Sequence, residues 1–390
     1  MAETTTDAMT SVLVKVTPVR SGTLEEFHVS ATPCLSDPSA ARQTQSIYAA
    51  VFEQLQDVDS LRIVAERVFG SLAVKEEFLA TRTAFLRGAG IPTDTPVTYL
   101  EGRPVSGEAL AGVQMTLVRQ GSTRIRVKPL REGNHTYGYS VTSDDVRRVF
   151  LPGMHGMNGD TSSTAQAQRM FARTRRLLES AGLSYRKVVC TRIYLKDILD
   201  WYDAFNGVRN PFHEAVGLAG KGRHLVPAST GIQGKISDTC ECVMDVTAIS
   251  KPDDDCPFVK LTNPLQNEAT DYGSSFARGV RVDVPDASYV IVSGTASIDE
   301  TGATVHLGDP LEQTRRTMQN FEAILGAGGA GLDDLYHAVW YVKAPAYAEI
   351  VTREMKNRRW PAFPFITVKA DVCRGDLLVE IDATAVVRKD

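Results

Sequence analysis

The chain has little of what marks the specialised protein classes. Six cysteines in 390 residues are too sparse for a disulfide scaffold. The close pair Cys240 and Cys242 has no second pair at zinc-like spacing. Forty-three Lys and Arg against 47 Asp and Glu leave a net charge of −4, without the basic excess of a nucleic-acid binder. The local run RIRVKPLR at 124–131 alternates with apolar residues and reads as a half-exposed strand. No apolar run reaches the ~18 residues that a membrane helix needs. The opening MAETTTDAMT has neither the basic n-region nor the apolar h-region of a signal peptide. The expectation is a cytoplasmic globular protein with reduced, mostly buried thiols and no partner among membranes or nucleic acids.

What is present is a repeat. The stretch TRRLLESAGLSYRKVVCTRIYLKDILDWYDAF (174–205) and the stretch TMQNFEAILGAGGAGLDDLYHAVWYVKAPAYAEI (317–350) run in the same order. Each has an amphipathic helix ending at Ala-Gly or Gly-Gly, a short loop, a strand and a second helix. Each is preceded by a glycine-containing strand, RVFLPGMHG or YVIVSGTAS, and followed by two more strands. A fainter third copy comes first: a helix in ARQTQSIYAAVFEQLQ, a strand in SLRIVAERVFGS, a helix in VKEEFLATRTAFLRGAG with a Gly stop, and strands in TPVTYLEG and LAGVQMTLV. The glycines of GAGGAG (326–331) stand where the repeat needs a helix end and lack the Lys-Ser/Thr of a phosphate loop.

This order resembles the RidA (YjgF/YER057c/UK114) superfamily, with the closest echoes in QTRRTMQNFEAILGAGGAGLDDLYHAVWYVK and in the ending VEIDATAV. That family forms trimers with small-molecule sites between subunits. The resemblance implies an α+β fold in which three units, at roughly 11–140, 141–252 and 253–390, form a pseudotrimer within one chain. A monomer is expected, because the fused chain already satisfies the threefold arrangement.

The final strand poses the functional question. Alternation places Val379, Ile381 and Ala383 on one face and Leu378, Glu380 and Asp382 on the other. Glu380 is either one charge on a solvated face or an acid in a pocket. Aligning the repeats sets Asp245 and Gln114 opposite it, so that unit three alone keeps a glutamate. In RidA proteins the matching glutamate handles a water or a proton, and an arginine shortly after a Pro-Ala holds the substrate carboxylate. That arginine is missing here: unit two has PAST with Ser229, and unit three has PAFPF with Phe363 and Phe365.

A narrower resemblance fits these departures. The stretches YDAFNGVRNPFHEA, LVPASTGIQG, DYGSSFARGVRV, IVSGTASIDETGATVHLGD and VCRGDLLVEIDA together are similar to the chorismatases, which release pyruvate from chorismate. The resemblance implies no cofactor and no metal, and Glu380 as the catalytic acid. Cleaving an enol ether starts with protonation of its terminal methylene, and a carboxyl group whose pKa is raised by burial suits that step. Two substrate carboxylates call for cationic partners. The candidates are Arg209, Arg278 and Arg192, with Arg374 in a turn before Gly375; for each, a surface ion pair is the bland alternative. Tyr202, two helical turns before Arg209, and Thr230 complete the binding candidates. The resemblance also implies that Cys373 and Gly279 favour the branch producing 3-hydroxybenzoate over the hydrolytic branch, whose product is a dihydroxycyclohexadiene carboxylate. Each has a bland alternative, a small buried residue for Cys373 and a bend for Gly279. His155 and His306 have no partner at metal-ligand or triad spacing. A RidA-like enzyme acting on another small carboxylic acid is a further alternative, and a RidA-like binding protein with a dead site is the rival from another class.

Overall fold

A computed structural model describes residues 12–34, 37–105, 107, 109–159, 162–220, 223–251 and 256–389. Among these described residues the α-helices are α1 (Ala40–Glu53), α2 (Lys75–Gly88), α3 (Ser163–Ser180), α4 (Ile198–Ala215), α5 (Pro310–Ala327) and α6 (Pro345–Arg358). Local chemistry explains their ends. The Ser39, Ser162 and Asp309 side chains accept from first-turn amides of α1, α3 and α5, and Pro310 opens α5. The GAGGAG run terminates α5: Gly328 is its cap and Gly329 has φ +77°, a conformation that favours glycine.

The helices pair on three mixed sheets. The first orders its strands Leu13–Ser21, Leu24–Thr32, Leu110–Arg119, Leu61–Gly70, Thr98–Glu101. The second runs Ala228–Gln233, Val188–Leu195, Cys242–Ser250, Arg147–His155, His135–Thr142, Arg126–Glu132. The third runs Val259–Leu261, Gly279–Val284, Ala287–Ala296, Val379–Arg388, Leu335–Val342, Ile366–Lys369, with Arg103–Pro104 of unit one added at its edge. The RIRVKPLR strand and its hairpin partner therefore hydrogen-bond into the second sheet, ahead of residue 141.

Each sheet buries one face beneath its helices. In unit three, Val379, Ile381, Ala383 and Ala385 pack under Met318, Phe321 and Ile324 of α5 and Val351 and Met355 of α6. Burying each large side chain contributes roughly 1.5–3 kcal/mol. The alternate residues, Glu380, Asp382 and Thr384, are also buried, because this face meets the other two units.

Strand pairing fixes which residues are equivalent. Each central strand carries a bulge, at Val64, Val189 and Tyr336. Beyond it Ala65 pairs with Thr116, Cys190 with Thr247 and His337 with Thr384. Two residues further on, Arg67 opposes Gln114, Arg192 opposes Asp245 and Val339 opposes Asp382. The counterpart of Asp245 and Gln114 is thus Asp382. Glu380 pairs with Tyr341, and its equivalents are Val243, paired with Tyr194, and Gly112, paired with Phe69. The expected alignment is corrected by two residues, one full pleat, and unit three still holds the lone glutamate at this level.

Candidate active site

Glu380 lies in a cleft between units two and three. Tyr202, Ser229 and Gly231 of unit two line one side, and Tyr272, Phe276, Arg278, Cys373 and Glu380 of unit three line the other. The cleft holds about 20 Å³ of space, enough for one water by the ~10–15 Å³ criterion. The equivalent clefts are closed by apolar groups. Val243 replaces the glutamate where unit two meets unit one, and Ile366 fills the space above Gly112, its Cδ1 2.7 Å from where a Cβ would lie.

Glu380 is 4% exposed. Burial pushes its carboxyl up to about 8, the like charge of Asp382 adds to this, and Arg278 opposes it. The acid is therefore protonated at neutral pH. Asp382 accepts from Tyr341 Oη at 3.1 Å and from Arg192 Nε at 3.4 Å.

Two arginines flank Phe276. Arg278 and Arg209 each hold a guanidinium 5.6 Å from its ring centroid, and both are almost fully buried. Arg278 donates Nε to the Asn267 carbonyl at 2.8 Å and Nη2 to Asn267 Oδ1 at 3.1 Å. Arg209 projects from α4 and donates Nη2 to Asn206 Oδ1 at 2.6 Å, while its buried Nε has no partner. Tyr202, one turn after the start of α4, packs over Gly231 and neighbours Arg209, Ser274 and Cys373; burial raises its phenol. The Cys373 thiol is pushed up to about 12 by burial and by the Glu380 charge, so it stays a neutral thiol.

The structure thus brings Glu380, Tyr202, Arg278 and Cys373 to one cleft, with Arg209 beside it. Thr230 stands behind Glu380, where its Oγ1 accepts from the Gly294 amide at 3.1 Å. Two candidates are elsewhere. Arg192 lies on the pseudo-threefold axis, bound to Asp382 and, through Nη2, to Thr384 Oγ1 at 3.0 Å, because its level on the strand is that of Asp382 and not Glu380. Gly279 faces α5, and a Cβ there would meet Ile324 Cγ2 at 2.7 Å. It serves close helix packing and does not line the cleft. Arg374 donates to the Gly302 carbonyl at 2.7 Å and stacks on Tyr272. Sequence reasoning missed Ser229, Tyr272, Phe276 and Gly294 as cleft residues. Tyr272 and Phe276 stand within DYGSSFARG, and Ser229 stands where the family arginine is absent.

Comparison with known proteins places these features. Residues 275–387 match the family model described as Endoribonuclease L-PSP. A 3-hydroxybenzoate synthase of Streptomyces hygroscopicus is 33% identical over 102 residues, 24% of this chain, and the match spans 30% of that enzyme's length. A RutC family protein of Pyrococcus abyssi (strain GE5 / Orsay) is 34% identical over 102 residues, covering 25% of this chain and 78% of that protein. Among solved structures, a chorismatase superposes with a TM-score of 0.61 at 19% identity, covering 85% of this chain and 95% of that one, so the two share a fold. Since the match takes in most of a single-unit RutC protein and the family model falls on the same third unit, the chain belongs to the RidA/YjgF family.

Proposed function

We propose that this protein cleaves the enolpyruvyl ether of chorismate to pyruvate and 3-hydroxybenzoate, with Glu380 as proton donor. The observation that carries the reading is a buried glutamate, protonated at neutral pH, in a cleft flanked by two arginines. The shared fold with a chorismatase and the partial identity to a 3-hydroxybenzoate synthase support it.

The Glu380 proton goes to the terminal methylene of the enol ether, leaving an oxocarbenium carbon beside a new carboxylate. Positioned general acids contribute roughly 10²–10⁴ in rate. Arg278 and Arg209 offer charge for the substrate carboxylates, and Phe276 and Tyr202 offer flat surfaces for the ring. Pyruvate and 3-hydroxybenzoate together contain the atoms of chorismate, so this branch consumes no water, whereas the diol branch takes one up. Choice of branch rests on Cys373, since Gly279 faces the helix. Substrate enters when the Ala269–Tyr272 turn and the segment after it move, because the closed cleft has room for about one water.

Incubation with chorismate, with pyruvate followed by a coupled dehydrogenase and the ring product identified by chromatography, tests the reading. No pyruvate sinks it. Pyruvate with a non-aromatic diol replaces the benzoate branch with the hydrolytic one. Full activity in Glu380→Gln removes the glutamate from its role.

A further inference from the structure

A second and larger cavity, about 110 Å³, lies on the pseudo-threefold axis between the inner faces of the three sheets. Its wall is built from equivalent positions. Glu26, Arg148 and Tyr289 occupy the same place in the three sheets, opposite Val118, Ile249 and Val386, and they meet at one end. Arg148 Nη1 is 2.7 Å from Glu26 Oε2, and Tyr289 donates to that oxygen at 2.5 Å. Thr116, Thr247 and Thr384 line the next level, and Arg67 and Arg192 the one beyond.

Among the described residues, the unused hydrogen-bonding capacity on this wall lies at the Arg148 guanidinium and at one ring nitrogen of His28. Arg148 Nη2 and His28 Nε2 have no hydrogen-bond partner, and the two residues are 1% and 4% exposed. His28 Nδ1 sits 3.2 Å from Thr116 Oγ1; with the hydroxyl donating, Nε2 carries the proton. Arg67 bonds to neutral groups, donating to Tyr194 Oη at 2.7 Å and to Gln114 Oε1. The carboxylates on the wall are engaged: Glu26 by Arg148 and Tyr289, Glu66 by Arg82 and Tyr48, and Asp245 by Thr98 and the Gly153 amide. Unpartnered buried polar atoms cost free energy until a partner reaches them, and this space far exceeds the ~10–15 Å³ that one water needs.

We propose that the axial cavity is a second ligand site, separate from the Glu380 cleft, that takes one small monocarboxylate of acetate to pyruvate size. The carboxylate oxygens would accept from Arg148 Nη2 and His28 Nε2, and the threonine hydroxyls would face the rest of the ligand.

Equilibrium dialysis of radiolabelled acetate and pyruvate against the intact chain tests this. Expected is saturable uptake of one equivalent with a Kd of about 1 mM or tighter, not displaced by chloride at equal ionic strength and retained in Arg278→Ala, which removes one of the two arginines that flank the Glu380 cleft. His28→Phe installs the residue that unit two carries at the equivalent position, Phe150, and should weaken uptake at least tenfold. Arg148→Lys keeps a cation against Glu26 but removes Nη2, and guards against misfolding of the first variant. A tenfold loss in either folded axial variant supports the site. Absence of saturable uptake, uptake unchanged in both axial variants, or uptake abolished by Arg278→Ala overturns it.

Discussion

Gly294 and Glu380 face each other so closely that a Cβ on Gly294 would lie 2.2 Å from Glu380 Oε1. The two come from adjacent strands of the third sheet, at a register shift between Val292 and Thr295. The Gly294 amide meanwhile donates to Thr230 across the unit boundary. A side chain at Gly294 must therefore push the acid out of its place. Gly294→Ala should lower kcat on chorismate by about 100-fold, the usual penalty for misplacing a catalytic group by about 1 Å. Overpacking should cost about 1–3 kcal/mol of stability. Steady-state kinetics beside urea denaturation separate the two effects, and wild-type kcat in this variant would show that Glu380 does not need its observed position.

The buried acid ties both activity and stability to pH. Glu380 titrates near 8 in the fold and near ~4.3 in an unfolded chain. The unfolded state thus ionises first as pH rises, and stability falls between about pH 4 and 8 before levelling off, by at most ~1.4 kcal/mol per pH unit. Glu380→Gln removes that slope, so it should be more stable than the parent at pH 8 and similar at pH 4, as read by denaturant midpoints. The proposed reaction uses the protonated form, so kcat should be flat below pH 8 and fall about tenfold per unit above it. A rate that rises through pH 8 would mean that the carboxylate, not the acid, does the work.

Tyr272 sits between two cations, 5.4 Å from Arg278 and 5.1 Å from Arg374, and is 37% exposed. In this closed arrangement it covers a charge that the proposed reading gives to a substrate carboxylate. A protein whose binding-competent state is a minor one loses apparent affinity in proportion. Tyr272→Ala should raise the stopped-flow association rate for chorismate severalfold or more, while Tyr272→Phe, which keeps the ring, should leave it close to the parent. Equal association rates in all three proteins would exclude Tyr272 as a gate.

The helices and strands were legible in the chain because amphipathic periods, strand alternation and glycine stops recur in the same order in each repeat. Glu380 was legible as a charge on an otherwise apolar strand. The register between repeats was not. VMDVTAI and VEIDATAV can be matched acid to acid in two ways, at Glu380 or at Asp382, and the choice is made by the bulges at Val64, Val189 and Tyr336. A bulge has no composition signal of its own. The same uncertainty misplaced Arg192, which shares a face with Tyr194, the unit-two equivalent of the residue opposite Glu380, but lies one pleat toward the axis. Gly279 was assigned a part in branch choice by the resemblance alone, and a glycine has no side chain whose chemistry shows which way the position faces. The packing of Ile324 decides that. The hairpin at 126–142 was assigned to unit one by proximity in sequence, whereas its pairing partner is the strand at 147–155.

Fusion of three units lets equivalent positions differ, and Glu26, Arg148 and Tyr289 show what this permits. An acid, a base and a phenol converge where a symmetric trimer would place three copies of one residue. Glu26 and Arg148 are each 1% exposed, so either one left alone is an uncompensated buried charge. Arg148→Met should cost about 3–5 kcal/mol, because breaking a buried pair from one side leaves the other charge stranded. Adding Glu26→Gln should recover most of that loss, since the remaining groups are neutral and the Tyr289 hydroxyl keeps an acceptor. A double-mutant cycle on denaturant midpoints measures the coupling. Additive losses would show that the two charges are already screened from each other, and that the axis is held by packing and not by this pair.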